Sequence, residues 1–129
     1  MTDVTDRGSA AVEFVLVGVL LVVLTLAVLQ TAFVAHIRSI AIDSAIAGAA
    51  HAALADTTDA DGVARTEDLI GRGVAGGLVQ GVSVHSTRVG DRDVVVMSAH
   101  LDVPVMGPWL PVATIEIQGR AFRETWYNE

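Results

Sequence analysis

From Phe14 to Ala35 the chain is apolar at nearly every position, interrupted only by Gly18, Thr25, Gln30 and Thr31. A helix of these about 22 residues is apolar on every side and, at ~1.5 Å per residue, reaches about 33 Å, enough for the ~30 Å hydrocarbon core of a bilayer. A domain this small could hardly surround such a helix, so burial in a soluble core is the weaker reading. A removable secretory signal also fits poorly. The leader Met1 to Arg7 holds two Asp against one Arg, and cuts after Ala32 or Ala35 would leave Gln30 or Phe33 where a small residue is wanted. Beyond the apolar run, Ile37 to Leu54 continues without Pro and with Ala41, Ala45 and Ala49 at fourfold spacing. One helix is therefore expected over 9–55, its span at about 14–35 and its outer half outside the membrane. Ala41, Ala45, Gly48, Ala49 and Ala52 make a face of small residues suited to close helix packing.

The pattern then changes twice. Asp56 to Gly62 reads as a polar, solvated loop, and Thr66 before Glu67 and Asp68 reads as the N-cap of a short, glycine-weakened helix running to about Val79. From Gly81 the period is two. Val82 and Val84 alternate with polar residues up to Val89, and Gly90-Asp91 marks a turn. Val95, Met97, Ala99, Leu101 and Val103 then line one face of a second strand, opposite Ser98, His100 and Asp102. A loop bracketed by Pro104, Pro108 and Pro111 carries Met106, Trp109 and Leu110. Ala113, Ile115 and Ile117 alternate in a third strand, with Gly119 a candidate bulge before the strand resumes at Ala121 to Trp126. The expected fold is α+β: a long N-terminal helix, half membrane and half exposed, packed on a small antiparallel sheet of about three strands. The small extracytoplasmic head covers 56–129.

Composition narrows the function. The chain has 129 residues, of which 52% are hydrophobic and 18% charged, with 8 basic residues (all Arg) against 15 acids for a net charge of −7. Such a chain is too apolar for disorder and of the wrong sign for a phosphate backbone, so nucleic acid is not an expected partner. Without Cys there is no disulfide framework or thiol chemistry. The acids of 56–62 lack the spacing and bidentate Glu of a calcium loop, and Gly71 to Gly77 lacks the Lys-Ser/Thr ending of a phosphate loop. His36, His51, His85 and His100 are scattered, and no hydrolase or metalloprotease motif is present. No enzyme activity, metal, cofactor or small-molecule substrate is expected.

One residue at the start of the span stands out. Glu13 is followed at once by Phe14-Val15-Leu16-Val17, and a carboxylate costs roughly 2.5–3.5 kcal/mol at mid-bilayer, less near the interface. Read alone, it is either an interfacial acid reaching the headgroups or a residue in need of a partner. Gly8, four residues, then Glu13 and Phe14, directly before a span, resembles the processing site of type IV prepilins. More narrowly, Gly8-Ser9-Ala10-Ala11-Val12-Glu13-Phe14-Val15-Leu16-Val17 resembles the start of the TadE-like family, minor pilins or pseudopilins of Tad (Flp) pilus systems. The apolar-Pro loop followed by Thr114-Ile115-Glu116-Ile117-Gln118 is similar to that family too, less specifically.

The resemblance implies a cytoplasmic leader over 1–8, cut by a membrane prepilin peptidase between Gly8 and Ser9. It also implies a pilin-like fold, export of the C-terminal region, and assembly with other pilin or pseudopilin subunits and the Tad machinery. The chemistry suits it: a glycine before the scissile bond admits close backbone approach, and the released α-amine of Ser9, with a reference pKa of ~8, is mostly cationic at neutral pH. Glu13 would gain that amine as a partner, on its own helix or on a neighbouring subunit, or would serve recognition by the peptidase. The expected location is the bacterial cytoplasmic membrane, single-pass with the N-terminus inside, and the cell surface or pilus after assembly. A membrane-tethered binding module, neither trimmed nor assembled, is the alternative.

Overall fold

In the computed structural model the described residues are 5–74, 77–104 and 112–125. Their elements are α1 (Thr5–Ala52), α2 (Asp59–Gly73), β1 (Val79–Val89), β2 (Arg92–Pro104) and β3 (Val112–Phe122). The loop of Met106, Trp109 and Leu110, the leader residues 1–4 and Trp126 lie outside the described residues. The chain divides into two compact units, Met1–Phe33 and Val34–Glu129. The first contains the apolar part of α1. The second contains the rest of α1, α2 and the sheet, an α+β arrangement of a long N-terminal helix with a three-stranded antiparallel sheet.

No Pro interrupts α1, and its sequence is rich in Ala and Leu, which lose little on entering a helix. It stops at Ala52, three residues before the expected end. There the Leu54 N–H turns back to the His51 carbonyl at 3.3 Å, and the Thr57 hydroxyl donates to the His51 and Leu54 carbonyls. These bonds occupy acceptors that another turn would have used.

The start of α2 departs from expectation more widely. Thr58, not Thr66, is the N-cap: its hydroxyl accepts from the Asp61 N–H at 3.3 Å while the Asp61 carboxylate accepts from the Thr58 N–H at 2.8 Å. This reciprocal pair is a capping box, and it turns the end of the expected solvated loop into helix. Thr66 lies inside α2, fully buried, with its hydroxyl donating to the Gly62 carbonyl at 2.9 Å. The helix ends at Gly73, before the strand begins at Val79.

The sheet has the order β1-β2-β3, with both pairings antiparallel. Gly90 and Asp91 form the two-residue hairpin turn between paired Val89 and Arg92, and Gly90 takes the positive φ of 63° that such a turn needs at its first central position. The bulge in the sheet falls in β1, between Val79 and Gly81, where Gln80 is the extra residue. Gly119 is not a bulge. It pairs with Met97 in an unbroken register from Val112 to Phe122, and its missing side chain has another cause: a Cβ there would lie 2.3 Å from the Ala45 carbonyl carbon of α1.

On β2, Val95, Met97, Ala99, Leu101 and Val103 are all buried and meet Ile37, Ala41, Ala45, Ala49, Ala52 and Ile70 in one core. Each fully buried Leu, Ile, Val or Met contributes roughly 1.5–3 kcal/mol, which is how a head without disulfides holds together. Val94, Val96 and Ser98, on the opposite face, are buried as well. They sit on the central strand between longer neighbours, Val94 beside Phe122 and Val96 between His85 and Arg120.

Candidate membrane and assembly segment

From Gly8 to Phe33 every residue of α1 is exposed except the half-buried Gln30. Phe14 is 80% exposed, and Leu16, Leu20, Leu24 and Leu29 are each near 60% or above. Helix geometry explains this: successive apolar residues point 100° apart, so an unbroken apolar run covers the whole surface rather than one stripe. Leu and Val contribute roughly −0.3 to −0.6 kcal/mol each on membrane-insertion scales, so water is the wrong solvent for such a surface and lipid or other apolar helices the right one. By length and composition α1 is able to cross a membrane.

The hydroxyls within the run need no outside partner. Thr25 donates to the Leu21 carbonyl at 2.8 Å and Thr31 to the Ala27 carbonyl at 2.9 Å, each one turn back along the same helix. Glu13 differs in kind, because an ionised carboxylate only accepts and every helix N–H near it is taken. No hydrogen bond or ion pair reaches it among the described residues. Ser9 stands one turn before it, at the i, i+4 spacing where helix side chains are neighbours.

Gly8 and Ser9 are the fourth and fifth residues of α1, one turn in from its start at Thr5. A methyl built on Gly8 would meet nothing within 4 Å, so packing gives no reason for glycine there. Glycine costs ~1 kcal/mol in a helix relative to alanine. Gly8 therefore weakens the start of α1 locally, with no close contact that calls for glycine.

Gly8, Ser9, Glu13 and Phe14 belong to the first unit and the small-residue face to the second. Ala41, Ala45, Ala49 and Ala52 are completely buried within the second unit, and Gly48 packs against α2. A Cβ on Gly48 would fall 1.7 Å from the Thr66 Oγ1, and one on Gly62 would fall 2.4 Å from the Ala52 Cβ. The face is thus occupied by the chain's own sheet and second helix. Sequence reasoning placed these alanines on one face but missed Gly62, Thr66 and Gly119, the residues that receive them. For α2 a local signal existed, Thr58-x-x-Asp61; for Gly119 the residue stood out but its partner, some 70 residues away in the chain, did not.

The acids near the start of α2 are likewise engaged within the head. Asp59 pairs with Arg123 at 2.8 Å, and the Asp61 carboxyl is held below its ordinary value by the side-chain and backbone hydrogen bonds from Thr58. On the outer face of the sheet Asp102 accepts from Gln80 of β1 and Thr114 of β3, both at 2.6 Å, tying three strands together.

Residues 8–50, which hold the glycine-to-glutamate motif and the whole apolar run, match the family model described as TadE-like protein. Over that segment the chain is similar to the TadE-like family. Neither the curated proteins nor the solved structures give a match.

Proposed function

We propose that this protein is a minor pilin or pseudopilin of a Tad-type pilus or related secretion system. Its leader is removed between Gly8 and Ser9 by a prepilin peptidase, and the trimmed subunit assembles with other pilin or pseudopilin subunits through the apolar half of α1. The observation that carries this reading is the pairing of a TadE-like segment with a helix whose apolar surface is left open all round from Gly8 to Phe33. That surface suits lipid before assembly and neighbouring helices after it. Because the small face of Ala41, Ala45, Gly48, Ala49 and Ala52 is occupied within the head, subunit packing falls to residues 9–33 and leaves those five to the fold of the monomer.

The role is structural rather than enzymatic. The N-terminus lies in the cytoplasm and the head outside the bacterial cytoplasmic membrane, reaching the cell surface or pilus on assembly. Glu13 gains the new α-amine of Ser9 as its ionic partner, which lowers the cost of holding a carboxylate at the edge of the apolar run. Intact mass or N-terminal sequencing of the protein from its native host tests the proposal. A chain starting at Ser9 supports it, whereas a chain still starting at Met1 supports a membrane-tethered binding module instead.

A further inference from the structure

We draw no further inference here: the strongest candidate, the outer edge of β3, which no strand pairs among the described residues and whose Glu116 and Arg120 lie equally spaced about Gln118 so as to meet their opposites in an antiparallel second copy, would turn the two copies' residues 34–52 in opposite directions, which two chains anchored in one membrane do not allow, and nothing in the structure shows what else covers it.

Discussion

Gly119 of β3 lies directly against the backbone of Ala45 in α1, so close that a methyl group on Gly119 would come within 2.3 Å of the Ala45 carbonyl carbon. Backbone cannot yield as a flexible side chain does. Gly119→Ala therefore pushes strand and helix apart and lowers the stability of the head by about 1–3 kcal/mol, the usual cost of overpacking. Gly71→Ala is the control. It lies in α2 with nothing within 4 Å of its missing Cβ, and alanine there raises stability by about 0.4–1 kcal/mol. Denaturant unfolding of the full-length protein in detergent, followed by near-ultraviolet circular dichroism, checks both; equal effects from the two substitutions would contradict the packing assigned to Gly119.

Gly48 makes the corresponding contact between helices. Gly48→Val drives a side chain into Thr66 and the Gly62 carbonyl, separating α2 from α1 and exposing the Thr66 hydroxyl bond. The expected outcome is faster amide hydrogen exchange throughout α2, with the exchange of residues 9–33 unchanged. Exchange that rises only at residue 48 would show that α2 does not depend on this crossing.

The capping box gives α2 a dependence on acid. Hydrogen bonds from the Thr58 side chain and backbone lower the Asp61 pKa in the folded protein. The stability this supplies is present above the unfolded carboxyl value of ~3.9 and is lost as pH falls through the lowered folded value. Fraying of α2 at its first turn is thus expected on acidification below about pH 4. Amide exchange at Asp61 and Gly62 measured against pH reports it, and Asp61→Asn, which accepts hydrogen bonds without titrating, flattens that profile. An unchanged profile in the Asn variant would assign the acid response to another group.

Arg123 joins the end of β3 to the start of α2 through Asp59 at 2.8 Å and reaches Ser86 at 3.3 Å. The pair is partly solvated, so Arg123→Ala costs about 0.2–1 kcal/mol and the loss shrinks at high salt. A salt-independent loss in denaturant titrations would mean that the arginine stem, not its charge, holds the two elements.

At the N-terminus the two residues of the motif separate by readout. Gly8→Leu leaves the leader attached, seen as unchanged electrophoretic mobility with and without the host's prepilin peptidase. Glu13→Ala removes an acid that opposes insertion, so the protein still fractionates with membranes while pilus assembly falls. Normal piliation in the Glu13 variant, counted by electron microscopy, would remove Glu13 from assembly.

Much of the architecture was legible in residue order because it depends on neighbours a few positions apart. Continuous apolarity from Phe14 to Ala35 marks the membrane-length helix, and the two-residue alternation from Val95 to Val103 marks a strand and the side it buries. Gly90-Asp91 marks the hairpin turn. The sequence reading caps α2 at Thr66, although Thr58-x-x-Asp61 also carries the spacing of a capping box. Both threonines sit before acids, and burial of Thr66 beneath α1 is what separates them. The expected bulge at Gly119 fails for a similar reason: a strand glycine signals either an extra residue or a close approach, and the sequence of one strand does not distinguish the two.

By itself, then, the sequence determined the apolar segment, the TadE-like motif before it, and the number and kind of elements that follow, since each arises from spacing within one element. Only the tertiary structure decided what the small residues are for. Whether Ala45 and Gly48 face another subunit or their own chain depends on where Gly119, Gly62 and Thr66 come to rest, and these meet α1 only after the chain has folded back. How closely two backbones approach is a property of both surfaces together. In this protein that distance commits the part of α1 from Val34 onward to the chain's own sheet and second helix.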